Sequence, residues 1–258
     1  MVATAVLSRS GAAALARLRQ HQGAAPWKLR CLPVCASTEL ELTAWLASQP
    51  WDGEMPRAVV ARRQIRGQGQ WGRPWQAPAG GVWISAALPW SAPGVAAGLF
   101  GLAVAVGLAE RLEAAGLTVA IKWPNDLLVD GRKLAGILPR MVHRGSRVRL
   151  ARVGLGLNVV NAVPSGAIAL KQLLPRPRAL PWTVEVLAAF ERAMHLATVP
   201  EAVVKATEAR LWARSVSDPS TAELWTVEGL AQDGALRLRQ GTRTTSWTRW
   251  GEVSNPGL

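Results

Sequence analysis

Apolar residues recur along the chain in runs whose spacing predicts alternating strands and helices. Three short apolar runs, bounded by glycine, proline or charged residues, predict strands over 57–65, 82–88 and 117–123. A capping-box pattern, Thr38 with Glu41, predicts a helix over 38–49 that places Ser37 and Thr38 at its N-terminus. The apolar, glycine-containing stretch 95–115 predicts a long buried helix.

The next segment predicts an antiparallel meander followed by helices. Asp130 and Gly131 are a two-residue hairpin signal. Apolar runs around this signal predict strands over 127–129, 134–138 and 148–159, and helices over 184–197 and 201–213. These elements together predict an α+β fold in which a mixed or antiparallel sheet is layered with helices.

Beyond residue 215 the pattern changes to short β segments separated by turns. The expected strands are 223–227, 236–238 and 246–250, which predict a small barrel-like C-terminal domain. The chain is therefore divided into an N-terminal extension over 1–32, a main domain over 33–215 and a C-terminal domain over 220–258.

Two further stretches raise the question of location. Residues 3–18 fit an amphipathic helix, which is typical either of a frayed extension on a cytoplasmic protein or of an organellar transit peptide. The uncharged run 74–109 contains a strand pattern and two prolines before its helix, so we interpret it as buried in the protein and predict no membrane span. The expected location is the cytoplasm.

The composition favours a globular protein, and its basic charge indicates either anionic partners or only a compositional bias of the chain. The chain has 258 residues, of which 49% are hydrophobic, and a formal net charge of +13. Seven basic residues without a carboxylate lie between 132 and 152: Arg132, Lys133, Arg140, Arg144, Arg147, Arg149 and Arg152. The two cysteines, Cys31 and Cys35, have no second pair and no nearby histidine, so the sequence supports neither a disulfide framework nor a zinc site.

The strongest chemical signal is the string from Lys122 to Leu138. It begins Lys-Trp-Pro-Asn-Asp and continues, after the hairpin signal, with Gly-Arg-Lys-Leu-Ala-Gly-Ile-Leu. Lys122 and Lys133 are thereby expected at one end of the sheet beside Asn125 and Asp126, an arrangement suited to anions. The plainer interpretation, a tight hairpin with a solvated basic rim, fits the Asp-Gly pair alone better than it fits the whole string.

This string resembles the biotin protein ligase family, and other family motifs recur in the same order. They are Ser37-Thr38, Gln64 with the glycine-rich segment 67–75, and 153–159. The similarity runs from about residue 33 to residue 253. It implies a catalytic domain like those of class II aminoacyl-tRNA synthetases and biotin ligases, closed by an SH3-like domain. It also implies an ATP-dependent biotin–protein ligase of the monofunctional type, without an N-terminal DNA-binding domain.

The resemblance also implies roles for individual residues. Lys133 and Asp126 are the catalytic candidates. Biotin is expected to contact Ser37, Thr38, Gln64, Lys133, Gly136 and Gly154. ATP and the adenylate are expected to contact Gly67, Gln68, Gly69, Gln70, Arg73, Trp75, Lys122, Asn125 and Asn158. The implied metal is Mg²⁺. Asp126 is a candidate ligand, and the other ligands are not assigned.

The implied reaction joins biotin to ATP, giving biotinyl-5'-AMP, and then transfers biotin to a lysine of the biotin carboxyl carrier protein of acetyl-CoA carboxylase. No specific DNA binding is expected, and a homodimer is compatible with the resemblance.

Three positions depart from the family pattern. Gln68 and Gln70 stand where the family loop usually carries arginines, and Glu39 stands where an amide usually follows Ser-Thr. Arg63 and Arg66 flank the loop and are candidates to replace the missing charges. We expect the intermediate to be held less tightly than in an arginine-bearing loop.

Two other functions remain open from the sequence. Lipoate or octanoate ligases and transferases share the implied fold, although their glycine-rich signature is not matched. A non-catalytic nucleic-acid-binding module would explain the basic charge, but it would not explain the string 122–138. Biotin-dependent exchange of pyrophosphate into ATP would separate these functions.

Overall fold

A mixed sheet carries most of the described chain. The structure, a computed structural model, describes residues 9–20, 26–51, 53–90, 98–144, 147–218 and 220–248. Its helices are α1 Arg9–Gln20, α2 Thr38–Ser48, α3 Phe100–Ala114, α4 Ala179–Leu196 and α5 Pro200–Glu208. Its strands are β1 Lys28–Cys35, β2 Arg57–Gln68, β3 Pro74–Ala77, β4 Val82–Leu88, β5 Ala120–Lys122, β6 Asp126–Val129, β7 Arg132–Arg144, β8 Arg147–Leu157, β9 Ser215–Ser217, β10 Leu224–Leu230, β11 Leu236–Gln240 and β12 Arg243–Trp247.

Eight of the described strands form the large sheet, in the order β1-β2-β4-β8-β7-β6-β5, with β3 paired to the far end of β2. The β1–β2 pair is parallel and the other pairs are antiparallel. Alternation along β4 separates two faces: Ile84 and Ala86 join the main core with α3 and α4, whereas Ala87 joins a smaller core under α2. This arrangement confirms the predicted α+β class, a sheet layered with helices.

The central predictions agree with the structure, and several boundaries do not. Strand β4 matches the predicted 82–88, and the hairpin turn holds Asp130 at φ 51° and Gly131 at φ 70° between paired Val129 and Arg132. These positive φ values are those of the predicted two-residue turn, which favours Gly at its second position.

Several elements were predicted with wrong limits or missed. Strand β7 runs from Arg132 to Arg144 rather than over 134–138, helix α4 begins at Ala179 rather than residue 184, and β3 and β9 were not predicted. Strand β1 was not predicted, and its start at Lys28 lies in the segment assigned to the N-terminal extension. Strand β2 continues to Gln68, through the start of the predicted glycine loop, because Gly67 and Gln68 pair with β3. Helix α5 ends at Glu208 rather than residue 213, because the Trp212 backbone N–H donates to the Ile121 carbonyl of β5.

The N-terminus of α2 also differs in detail. Ser37 is the cap, and its Oγ accepts a hydrogen bond from the Glu39 N–H at 3.2 Å. Thr38 is therefore the first helical residue and not the capping residue of the predicted Thr38–Glu41 box. The change frees the Thr38 hydroxyl for contacts with the sheet.

The second sheet has the order β12-β11-β10-β9. Its inward residues Val216, Trp225, Leu236 and Leu238 belong to the main hydrophobic core. The Trp123 indole N–H donates to the Gly234 carbonyl at 3.0 Å and ties this sheet to the turn that follows β5. Closure of these strands into a barrel stays a prediction, and part of the predicted strand 246–250 lies outside the described residues.

The described helices do not combine the length and apolar character that crossing a membrane requires. Cys31 and Cys35 are free thiols, and burial raises the pKa of Cys31 to about 11 and that of Cys35 to about 12. The predicted N-terminal helix is present in part as α1, and residues 1–8 lie outside the described part of the chain.

Candidate active site

A row of paired residues crosses one face of the large sheet. Gly156 pairs with Gly136, Gly136 with Asp126, and Asp126 with Lys122, across strands β8, β7, β6 and β5. Directly paired residues project to the same face of a sheet. In this row Gly156 and Gly136 form a surface without side chains, which we call the glycine floor. Asp126 and Lys122 form a charged edge beside it.

A β-bulge brings Lys133 onto the same face. Leu127 pairs with Ala135 whereas Leu128 pairs with Lys133, so β7 contains one extra residue at Leu134. An extra residue reverses the alternation of the strand beyond it, and bulges often re-aim side chains in this way. The Lys133 backbone is held on its other side, since its N–H donates to Gly166 and its carbonyl accepts from Ile168.

Lys133 forms an ion pair with Asp126, with 2.7 Å between Nζ and Oδ1. The lysine side chain is 34% exposed, the carboxylate is 17% exposed, and Nζ lies 5.0 Å from the centre of the Trp75 ring. Lys133 can thus donate to an anion from the open side while Asp126 fixes its position. This geometry brings together both residues that were predicted to be catalytic.

The Trp75 indole covers the glycine floor. A Cβ added to Gly156 would lie 2.7 Å from Trp75 Cζ2, and a Cβ added to Gly136 would lie 3.0 Å from Trp75 Cζ3. At Gly156 only glycine allows this approach without displacing the ring, whereas a Cβ at Gly136 would require the ring to shift slightly. The indole N–H is buried and has no partner among the described residues.

A polar cluster bounds the floor on the side of α2. The Thr38 backbone N–H and hydroxyl both donate to Gln64 Oε1, at 2.7 and 3.1 Å, and the hydroxyl lies 2.8 Å from Ser85 Oγ. Ser85 pairs with Gly154, and because Gly154 has no side chain, this face of the sheet has space beside the cluster. Gly67, at the base of the loop, has no room for a side chain because the Trp75 carbonyl would lie 2.6 Å from its Cβ.

Glu39 is not a lone charge at the edge of the site. Its Oε1 lies 2.8 Å from the guanidinium of Arg152, whose side chain is 8% exposed. The same Arg152 group donates to the Glu39 carbonyl at 3.1 Å and to the Thr43 hydroxyl at 2.6 Å. Burial is the main cause that lowers the pKa of Arg152, and the Glu39 carboxylate opposes that shift.

Other predicted residues lie in the framework around the site. The Asn125 side chain donates to the Ile137 carbonyl at 2.8 Å, and Ile137 N–H donates back to the Asn125 carbonyl at 2.9 Å. Asn158 is buried after β8, and its Oδ1 accepts from Asn161 at 3.0 Å. Lys122 lies at the sheet edge with its Nζ 5.7 Å from the Trp212 ring centre.

The glycine loop after β2 is the part that the structure does not bring onto the floor. The side chains of Gln68 and Arg73 are exposed, and the backbone of the loop bonds to itself between Gly69 and Arg73 at 2.8 Å and between Arg73 and Gln70 at 3.2 Å. Its 3-10 turn spans Gln70–Gly72.

Sequence reasoning did not select Ser85, Gly156 or Arg152. Ser85 is the only polar residue in strand β4, and Arg152, Gly154 and Gly156 follow one another at the two-residue spacing of a single strand face. The lone serine and the two-residue spacing are both visible in the sequence. Which strands lie next to these residues is known only from the strand pairing of the structure.

No group of three or more His, Cys, Asp or Glu residues suited to a metal occurs in the part of the chain that the structure describes. Asp126 can offer one carboxylate oxygen beside the bond that it makes with Lys133. That donor set fits an ion carried mainly by water and by a ligand's phosphates, as Mg²⁺ commonly is.

Comparison with known proteins agrees with the fold and with the motifs. Residues 34–158 match the model of the biotin/lipoate A/B protein ligase family. The chain is 41% identical over 103 residues to the bifunctional ligase/repressor BirA of Bacillus subtilis, an alignment covering 39% of this chain and 32% of that protein. It is 35% identical over 132 residues to the biotin--[acetyl-CoA-carboxylase] ligase of Paracoccus denitrificans, covering 50% of this chain and 52% of that protein.

These alignments span about a third to a half of the curated relatives. The structure is also similar to the biotin protein ligase from Aquifex aeolicus in complex with biotin and ATP, with a TM-score of 0.67 and 19% identity over 86% of this chain and 96% of that one. At this identity the similarity shows the fold.

Proposed function

We propose that this chain, which carries a domain of the biotin/lipoate A/B protein ligase family over residues 34–158, is an ATP-dependent biotin–protein ligase. One observation carries the proposal: the Lys133–Asp126 pair and the Thr38–Gln64–Ser85 cluster lie on the same face, at opposite ends of a floor of glycines. The names of the relatives support biotin as the acid.

The dimensions of the face suit an elongated acid with a polar head. From Gly154, beside Ser85, to Asp126 is two residues along β8 and two strands across, which is roughly 12 Å at the usual spacings of a sheet. The ureido ring of biotin would bond to Thr38 and Gln64. Its aliphatic tail would pass beside the Trp75 indole, which fills the space over Gly136 and Gly156, and its carboxylate would reach Lys133.

In the first half-reaction a carboxylate oxygen of biotin attacks the α-phosphorus of ATP. A bond from the acyl oxygen to phosphorus forms, and the bond from the α-phosphorus to the bridging oxygen breaks, which releases pyrophosphate and leaves biotinyl-5'-AMP. Both reactants are anions, so fixed positive charge is the main requirement. Lys133 would supply it, held in place by Asp126, while Lys122 and Arg73 are further candidates for the phosphates.

The chemistry that Mg²⁺ would supply is additional positive charge at the ATP phosphates. Asp126 is the described carboxylate placed to contact it. Trp75, Gln68, Gly69 and Gln70 would lie toward the nucleotide, as would Asn125 and Asn158 through the turns that they stabilise.

In the second half-reaction a lysine amine of an acceptor attacks the acyl carbon of the adenylate and AMP leaves. The proposed acceptor is the biotin carboxyl carrier protein of acetyl-CoA carboxylase, in line with the names of relatives such as the Paracoccus denitrificans ligase. The basic surface would favour an acidic partner through its effect on the association rate. A cytoplasmic location, a homodimer and the absence of specific DNA binding stay predictions.

The test is the exchange of labelled pyrophosphate into ATP, measured with biotin, lipoate or octanoate as the only acid. The proposal expects exchange with biotin and none above background with the other two. Exchange with lipoate or octanoate instead would assign the chain to the other branch of the family. Absence of exchange with all three, in a folded protein, would contradict a ligase function.

A further inference from the structure

The Arg152–Glu39 ion pair stands directly behind the polar end of the floor. On β8, Arg152 precedes Gly154 by two residues, so both project to the same face. On α2, Glu39 follows Thr38, whose N–H and hydroxyl form the polar cluster. The pair thus connects the strand beneath the floor with the helix end that presents Thr38.

The contacts of Arg152 hold the first turn of α2 at several points. Its terminal nitrogen bonds to the Glu39 carboxylate, the Glu39 carbonyl and the Thr43 hydroxyl. The Thr43 hydroxyl itself donates to the Glu39 carbonyl at 2.8 Å. Displacement of this turn would therefore break a charge-assisted network rather than one hydrogen bond.

The pair is also costly to separate. Arg152 is 7% exposed, and Glu39 Oε2 is buried with no partner among the described residues. If Glu39 alone is neutralised, Arg152 remains as a buried charge without its counter-ion, and if Arg152 alone is neutralised, the partly buried Glu39 carboxylate loses its partner. Either single loss is expected to be more damaging than loss of both. The carboxylate of Glu39, which stands where the family usually has an amide, is therefore balanced by the charge of Arg152.

We propose that Arg152 is a positioning residue for the acid substrate, acting through Glu39 to fix the N-terminus of α2 and the direction of the Thr38 donor groups. This inference rests on the proposed function for its substrate. It explains how the chain accepts a carboxylate after Ser-Thr, where Arg152 supplies the matching charge. Substitution of Arg152 is expected to weaken binding of the acid and to spare the chemistry at Lys133, which lies at the other end of the neighbouring strand β7 from Arg140, the residue paired with Arg152.

The matched variants are Arg152→Met, Arg152→Lys, Glu39→Gln and the double variant Glu39→Gln/Arg152→Met. Arg140→Met is the control, because Arg140 is an exposed residue of β7 that is directly paired with Arg152 of β8. Steady-state exchange gives kcat and the KM values for biotin and for ATP. Hydrogen–deuterium exchange of a peptide covering residues 36–46 reports on the helix end without any ligand.

Arg152→Met is expected to raise the KM for biotin at least tenfold, with kcat and the KM for ATP within threefold of the unchanged protein. The double variant is expected to have a KM for biotin closer to that of the unchanged protein than Arg152→Met has. Arg140→Met is expected to have the same KM for biotin as the unchanged protein. Amide exchange over 36–46 should be at least tenfold faster in Arg152→Met. If Arg152→Met does not fold, Arg152→Lys carries the test, with a smaller rise in KM because lysine cannot make the same set of bonds.

An unchanged KM for biotin in folded Arg152→Met and Arg152→Lys would overturn the inference. So would equal losses in kcat and in both KM values, since these indicate a general structural role. If the unchanged protein shows no biotin-dependent exchange, the proposed function fails. The amide-exchange comparison then still decides whether Arg152 holds the end of α2.

Discussion

Replacement of Lys133 by alanine separates stability from chemistry at the proposed site. The Lys133–Asp126 pair is about one-third exposed on the lysine side, and such surface pairs contribute about 1 kcal/mol or less to folding. The Lys133 backbone bonds to Gly166 and Ile168 are independent of its side chain. The variant is therefore expected to fold, with a melting temperature close to that of the unchanged protein.

The effect on catalysis is expected to be much larger. A preorganised group that stabilises charge in the transition state contributes about 3–4 kcal/mol, or roughly 10²–10³ in rate. Lys122 is paired with Asp126 across β5 and β6, but its Nζ lies 5.7 Å from the centre of the Trp212 ring, and Lys133 is the described lysine whose Nζ forms the ion pair with Asp126. Lys133→Ala should thus lower biotin-dependent pyrophosphate exchange by at least a hundredfold, while Lys205→Ala, which removes an exposed lysine of α5, leaves it unchanged.

The assay is initial-rate exchange at saturating biotin and ATP, with circular dichroism to confirm folding. Exchange within tenfold of the unchanged protein in folded Lys133→Ala would refute the assignment of this lysine. Equal losses in Lys133→Ala and Lys205→Ala would refute the reasoning from the ion pair, because only one of these lysines faces the floor.

Four further outcomes are expected. Gly156→Ala should lower the free energy of unfolding in urea by about 1–3 kcal/mol through overpacking against the indole, whereas Gly154→Ala, whose Cβ would meet no atom closer than 3.5 Å, should change it little. Since raised pKa values keep both thiols protonated, Cys31 and Cys35 should react slowly with iodoacetamide below about pH 10 and faster as pH rises toward their pKa values of about 11 and about 12; rapid alkylation of the folded protein at pH 8 would contradict this. Gln70→Arg should slow release of the adenylate in a filter-binding assay, because a charge-assisted hydrogen bond is roughly twice as strong as a neutral one. Binding to DNA should be independent of sequence and fall steeply with salt, and a sequence-selective gel shift at physiological salt would count against it.

The sequence was sufficient for the core of the sheet but not for its edges. Strand β4 and the turn at Asp130 and Gly131 depend on local apolar runs and turn chemistry, and both were predicted correctly. Strand β1 was missed because its burial comes from parallel pairing with β2 over a distant part of the chain. Helix α5 was drawn too long because Trp212 pairs with β5, a contact that periodicity does not contain.

The site shows the same division. Lys133 and Asp126 were chosen from a motif, and their 2.7 Å contact agrees with the expectation that both lie at one end of the sheet. The bulge that turns Lys133 toward this face is not visible in the spacing of residues alone. Ser85 and Arg152 were overlooked because their roles depend on α2 crossing strands that lie far from it in sequence.

The hydrogen bond from the Trp123 indole to Gly234 has a consequence for shortened versions of the protein. The donor belongs to the turn between Lys122 and Asp126, and the acceptor belongs to the loop between β10 and β11. Cutting the chain before β9 would leave this buried N–H without its acceptor, at a cost of about 1–3 kcal/mol. It would also remove Trp225 and Leu238 from the main core and expose the apolar residues that they cover. The second sheet therefore cannot be removed as an independent unit, and shortened versions of the protein should retain the chain through β12.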